Sequence, residues 1–506
     1  MGIQQDLFCG DQVEKREAIY ADLLEHVGSH IVQDAIRCTT RLKKMLPQPL
    51  LSDNTVFVAY GGGKDSSYIV CFVRLMQLIL WQEERETFRL RIATNRHSGM
   101  PHSVLENIDR AYSALGLYHD PDVELFLIDG DEVRPFDLDL PLPLSIKVRN
   151  RLDILMTGHR CEGEARPTFC NACNLSMVHS FRVMLGYKAG IDVMITGDSK
   201  QELHAYTLWI RQIALKLKLA HPPEDGSFRS FLNTVEDIEQ KYYTHLYVDE
   251  QHKEPLPRRA PLKFVREPFF FSVYRDTAYK VDDHWKILTD FLAFQFTEDA
   301  FNFTESDCGN PALMAHLRGL KIAHVYGRTY EEGIAEYLHF VIRLMEQKDF
   351  PPALIQQAQA RYSSPAAIEV MKKKMDQYAL DVFDLSEEQL VCMIYSPFVQ
   401  RGKNLARYLE HEQPELYPLL EDIHLLLRDT TCPTVRQSSL VVRLQQLSHL
   451  ELEQLRVLYG KNVSVKHTLH SEDPIAIILA DDPHKAEIQT THFPGGPSVT
   501  DVITGR

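Results

Sequence analysis

The chain has 506 residues, 44% hydrophobic and 25% charged, with 55 Lys and Arg against 70 Asp and Glu and a net charge of −15. That length exceeds one hydrophobic core and predicts two or three domains, and the composition is that of a globular chain. The acidic balance argues against a protein that grips nucleic acid along its backbone, and no apolar run reaches the roughly 18 residues of a bilayer span. Residues 1–15 lack the basic start and apolar middle of a secretory signal. Nine unevenly spaced cysteines do not form a disulfide framework. A cytoplasmic protein with no membrane contact is expected.

In residues 12–46, Ile19, Leu23, Leu24, Val27, Ile31, Ala35 and Ile36 recur at helical spacing, predicting one or two helices in an N-terminal region over 1–54. Strand one is predicted over 55–60 and its helix from Ser66 to Glu84. Phe88–Thr94 reads as strand two and Asn95–His102 as a loop. Val104, Ile108, Ala111 and Leu115 mark one face of the next helix. Val123–Ile128 reads as strand three, 135–145 as a Pro-rich loop, Leu175–Lys188 as a helix and Val193–Gly197 as strand four. This alternation predicts an α/β fold with a doubly wound parallel sheet. It belongs to a domain over 55–325 with an insertion at about 222–258. Beyond Thr329, long amphipathic helices are broken at Pro351-Pro352, Pro365, Pro397 and Pro433, predicting an all-α domain over 326–465. Residues 466–506 read as an irregular tail.

The most informative stretch is Tyr60-Gly61-Gly62-Gly63-Lys64-Asp65-Ser66-Ser67, at the first strand–helix junction. Three glycines permit positive φ and close approach of a ligand. Asp65, Ser66 and Ser67 suit a helix start, whose N–H groups attract an anion. The physics describes a phosphate-binding loop; the bland alternative is a plain glycine turn. A Walker loop is excluded because Asp65 follows Lys64, and the dinucleotide fingerprint lacks its last glycine. Ligands of doubly wound sheets sit at the carboxyl ends of the strands, which gathers Gly61–Ser67, Thr94–His97, Asp129 and Gly197–Lys200 around one cleft.

Gly61-Gly62-Gly63-Lys64-Asp65-Ser66 resembles the S-G-G-x-D-S loop of the PP-loop, or N-type, ATP pyrophosphatases, with Gly61 in place of the family's serine. The resemblance covers roughly 50–325. It implies ATP and Mg2+ as cofactors. Tyr60, Gly61, Gly62, Gly63, Ser66, Ser67, Thr94, Gly197 and Asp198 are then expected at the nucleotide, with Thr94 at the base. Lys64 would neutralise the leaving pyrophosphate, Asp65 would cap the helix and meet magnesium, and Lys200 would reach the α-phosphate. Arg96 and His97 are candidates for phosphate or substrate, although a lone loop histidine such as His97 or His102 is more often solvated.

Cys170-Asn171-Ala172-Cys173 places two thiols within reach of one metal or of each other. Followed by a helix, strand four and Gly197-Asp198, it resembles the tRNA 2-thiocytidine synthetase group of PP-loop enzymes, although their histidine and paired acids are absent here. Pro261-Leu262-Lys263-Phe264-Val265-Arg266-Glu267 is similar to that group's P-L-x-x-V-x-E. The resemblance therefore implies Cys170, Cys173 and Cys308 as ligands of a 4Fe–4S cluster, with Zn2+ as the alternative. A structural zinc, a metal-free sulfur relay and idle buried thiols stay open, as does Cys161 as a fourth ligand. Cys9, Cys38, Cys71, Cys392 and Cys432 read as core residues.

The expected activity is ATP-dependent adenylylation of a substrate oxygen with pyrophosphate release, followed by sulfur transfer. An amidotransferase using the same adenylate and a non-catalytic nucleotide-binding assembly protein are the rivals. The charge favours a small or carrier-bound substrate over tRNA. A sulfur-donor protein and a homodimer are the partners considered.

Overall fold

The computed structural model describes residues 2–196, 200–219, 228–248, 265–275, 277, 285–295, 310–347, 350, 352–429, 435–464, 473–480 and 485–504. Its centre is a six-stranded sheet in the order β4-β3-β2-β1-β5-β6. The strands are β1 Thr55–Ala59, β2 Arg89–Asn95, β3 Val123–Asp129, β4 Glu132–Pro135, β5 Val193–Ile195 and β6 Phe269–Phe270. All pairings are parallel except β3 with β4. The register sets Ala59 beside Ala93 and Val56 beside Val193. The strand order reverses at β1, between β2 and β5, which is where doubly wound sheets open a crevice.

Alternation along β1 builds two cores. Val56 and Val58 face one side with Leu90 and Ile92, and Phe57 faces the other with Phe126 and Met194. On the first side lie α1 (Gly2–His26), α2 (Ser29–Met45), α3 (Lys64–Glu84) and α4 (His102–Ala114). Helix α3 is buried almost without a break from Ser67 to Trp81, as expected of a helix that is apolar on every face. On the second side lie α5 (Leu144–Arg160), α6 (Ala165–Gly186), α7 (Lys200–Lys216) and α8 (Phe228–Tyr247).

The later helices are α9 (Pro311–Leu320), α10 (Tyr330–Gln347), α11 (Pro352–Ala360), α12 (Pro365–Phe383), α13 (Glu387–Tyr395), α14 (Leu405–Glu412), α15 (Leu420–Arg428), α16 (Val435–Ser448), α17 (Leu452–Gly460) and α18 (Pro474–Ala480). Their apolar faces are continuous with the core under α5 and α6. At Gly158 a Cβ would run into the Met393 sulfur, so α5 and α13 meet closely there. No described helix is long and apolar enough to cross a membrane.

The loop expected at 135–145 is present between β4 and α5, trimmed only at its ends, where Pro135 closes β4 and Leu144 opens α5. The supposedly irregular tail contains α18 and an antiparallel hairpin of β7 (Lys485–Thr490) and β8 (Val499–Thr504). The hairpin's prolines, Pro494 and Pro497, fall in the connection, where no ladder donor is needed. The helix that carries Gln240–Tyr243, α8, is docked on α5: Tyr242 is fully buried and shares a 2.9 Å hydroxyl contact with Thr157.

The same α5–α8 contact buries a carboxyl. Asp153 accepts from the Tyr247 hydroxyl. Burial pushes its pKa up to about 7, against the opposing hydrogen bonds of Tyr247 and Tyr243 and the charge of Arg149, with Glu239 adding to the rise. The folded protein therefore holds a proton that the unfolded chain releases near its ordinary value of 3.8, so stability falls as pH rises between those two values and levels off above about 7. Asp153→Asn is expected to flatten this slope, gaining on the wild type at pH 8 relative to pH 5 in urea unfolding. A parallel pair of pH profiles would show that the buried carboxyl does not titrate as stated.

Candidate functional site

At the carboxyl end of β1 the chain makes the glycine turn. The Tyr60 N–H donates to Ala93 O at 3.0 Å, which carries the ladder one residue past β1 and sets the turn beside the end of β2. Gly62 has φ +79°, in the region that only glycine enters freely. A Cβ there would lie 2.5 Å from Val104 Cγ1 and 2.9 Å from Ile108 Cδ1, so α4 presses against the turn from beneath. Gly63 then caps α3 in extended conformation, and no side chain occupies the cap. The helix thus presents the N-terminal N–H groups and the positive dipole end that favour an anion.

Lys64 and Asp65 stand at the mouth of this turn. Their side chains are partly exposed and paired, Nζ to Oδ2 at 2.8 Å. Ser66 Oγ donates back to Gly63 O at 3.0 Å. Below them Tyr60 and Ser67 are buried and joined hydroxyl to hydroxyl at 2.8 Å. Burial, opposed by that bond, drives the Tyr60 phenol pKa far up and keeps it neutral. The side chains of Tyr60 and Ser67 therefore brace the turn from inside, Gly62 and Gly63 are buried, and Gly61 with the Lys64–Ser66 side chains forms its outer surface.

At the end of β2, Thr94 is fully buried. Its Oγ1 and the nearby Tyr112 Oη have no hydrogen-bond partner at normal distance. Asn95 Nδ2 donates to Ser176 Oγ at 3.2 Å, joining β2 to α6. Arg96, a candidate for phosphate, is instead clamped inside the protein. It binds both Asp129 oxygens, at 2.8 and 2.5 Å, and donates to Leu140 O and Pro141 O. Asp129, expected at the cleft, is held by that pair. His97, expected to be solvated, is only 5% exposed. Burial lowers its pKa to about 3, and Nδ1 accepts from the Gly99 N–H at 3.2 Å. It is neutral across the physiological range.

The Cys170/Cys173 pair does not open a helix. Both residues lie inside α6, three positions apart and so on one face, about 4.5 Å along the axis. Cys170 is 1% exposed, and Cys173 is half-buried. Helix α6 runs back toward the start of β5, so Cys173 stands one turn above Ser176, toward the carboxyl edge of the sheet where the glycine turn lies. Cys161 is buried, and that burial drives its thiol pKa well up, so it stays protonated. Cys308, Gly197 and Asp198 lie outside the described residues, and Lys200 opens α7 without a described side chain. Among the described residues no group of three His, Cys, Asp or Glu could hold a metal. Of the three thiols expected at a cluster, Cys170 and Cys173 share one face of α6, and the third, Cys308, lies outside the described residues.

Two features escaped the sequence reading. One is the Arg96–Asp129 clamp, which required knowing that β2 and β3 are neighbours. The other is Glu164, the residue before α6, whose Oε1 accepts from the Thr504 N–H at 2.9 Å and hydroxyl at 2.8 Å. No family model matches the chain, and no curated protein matches it. Among solved structures, the U34-tRNA thiolase NcsA from Methanococcus maripaludis with its 4Fe–4S cluster is similar at a TM-score of 0.25 and 11% sequence identity, over 67% of this chain and 80% of that one. A likeness of that size carries no functional argument.

Proposed function

We propose that this chain is an ATP pyrophosphatase of the PP-loop type, which adenylylates a substrate oxygen. The observation that carries the reading is the Gly61–Gly63 turn, joined to an uncapped helix start at the point where the strand order reverses. In the proposed reaction a substrate carbonyl or hydroxyl oxygen attacks the α-phosphorus of ATP. The bond from that phosphorus to the bridging oxygen breaks, and its electron pair leaves with pyrophosphate. Lys64 and the N-terminal N–H groups of α3 stabilise the charge that develops on the leaving group. Asp65 helps hold Mg2+, which supplies further neutralisation when bound. A nucleophile then displaces AMP.

Sulfur is the proposed nucleophile, supported by Cys173 on the α6 face toward the carboxyl edge of the sheet. A carbon–sulfur bond forms and the carbon–oxygen bond to AMP breaks. The core position of Cys170 favours a second reading in which ammonia takes that place, since a sealed thiol cannot pass sulfur on. The net charge of −15 favours a small or carrier-bound acceptor, with tRNA as the other choice. A homodimer and a sulfur-donor protein are compatible with either.

The test is product analysis with α-labelled ATP, Mg2+ and a panel of carbonyl acceptors and tRNA. AMP and pyrophosphate are expected in equal amounts. ADP and phosphate, or ATP binding without turnover, would replace the reading with a kinase-like or non-catalytic one. The mass of the product separates oxygen-to-sulfur from oxygen-to-nitrogen exchange.

A further inference from the structure

We infer that Tyr378, on α12 of the helical region, is a positioning residue for the glycine turn, and that through it this region sets the geometry of the nucleotide site. The inference rests on the nucleotide reading above and assigns a role to helices that the reading leaves without one.

The connection can be followed atom by atom. The segment from Arg96 to Pro101 joins β2 to α4 and is tied from several elements. Arg96 is held by Asp129 and by the carbonyls of residues 140 and 141. The Ser98 N–H and hydroxyl both donate to Asn150 Oδ1 on α5, each at 3.0 Å. The Tyr378 hydroxyl donates to Gly99 O at 3.0 Å. Within the segment the Gly99 N–H donates to His97 Nδ1, and the Met100 N–H to His97 O at 2.9 Å, so it moves as one piece. That piece feeds straight into α4, whose Val104 and Ile108 fill the space where a Gly62 side chain would stand. A shift of Gly99 therefore reaches Gly62 through half a turn of loop and two turns of helix.

The two helices that hold the segment are themselves docked on each other. Lys147 Nζ on α5 donates to Asp381 O on α12 at 2.5 Å, and Arg151 pairs with Asp384 just beyond α12. Asn150 and Tyr378 thus act from a common support. Such a chain of packed and hydrogen-bonded groups can carry coupling between two sites, provided a change at one end is read at the other. Whatever moves α12 is then expected to change nucleotide affinity.

The experiment uses the full chain with Tyr378→Phe, which removes one hydroxyl and keeps the ring. Tyr417→Phe, on the outer surface of the helical region, is the control. Mg-ATP affinity is measured by titration calorimetry, and backbone exchange over residues 96–104 by hydrogen–deuterium exchange without nucleotide. Loss of one hydrogen bond at a positioning contact is expected to weaken Mg-ATP by about five- to tenfold. Exchange over 96–104 is expected to rise several-fold and to return to the wild-type level at saturating ATP, while Tyr417→Phe matches wild type in both. Affinity within twofold of wild type, or an equal loss in the control, overturns the inference. If the wild type itself binds no ATP, the nucleotide reading fails, and the exchange comparison still decides the tie: unchanged exchange in Tyr378→Phe removes it.

Discussion

Gly62→Val is expected to eliminate ATP binding and to destabilise the protein by about 2–5 kcal/mol. The backbone at φ +79° costs a branched residue roughly 1–2 kcal/mol. The new side chain would also start 2.5 Å from Val104 Cγ1, and crowding a filled core costs roughly 1–3 kcal/mol more. Val104 and Ile108 are 1% and 0% exposed, so neither can swing into solvent to make room. Gly62→Ala carries the same backbone strain with less crowding and serves where the valine variant does not fold. The measurement is thermal unfolding with and without Mg-ATP. A ligand at about 100 times its Kd stabilises the wild type by roughly 2.7 kcal/mol, and this increment is expected to vanish in the variants. A variant that keeps the full nucleotide-dependent rise would place the nucleotide elsewhere.

The second large effect concerns rate. Lys64→Met is expected to slow pyrophosphate release by roughly 100- to 1000-fold, the size seen when one preorganised charge-stabilising group is removed. Stability should change little, because the ion pair with Asp65 is partly exposed and such pairs contribute about 0–1 kcal/mol. Steady-state pyrophosphate release beside a denaturant titration separates the two. A loss under about threefold would return Lys64 to the status of a surface residue that neutralises Asp65.

The glycine turn was legible in the sequence because its requirements are local: a buried strand, glycines where the backbone must bend, and a helix start. The parallel strands were legible for the same reason, β1 as an apolar run and β2 by its alternation of apolar and polar residues. Strand β4 was not: it is short, lies at the edge and ends in Pro135. Helix α5 was hidden by the prolines before it and by Lys147, Arg149 and Arg151 scattered among its apolar residues.

Arg96 shows the limit on the functional side. A loop arginine beside a phosphate loop reads as a ligand until the fold brings a carboxylate 33 residues away against it. Cys170 shows another. C-x-x-C suggests an exposed turn, but continuous helical backbone from Ala165 placed one thiol in the core. The partners of buried polar groups are long-range, and periodicity carries no trace of them.

The bonds between Glu164 and Thr504 span 340 positions in the chain, and this has a bearing on biosynthesis. At about 10 residues per second, roughly half a minute passes on the ribosome between the emergence of the cysteine-bearing helix and that of the strand that seals its first turn. During that interval the first turn of α6 lacks the Thr504 contacts that Glu164 and Arg166 make in the folded chain, so this corner closes late in folding.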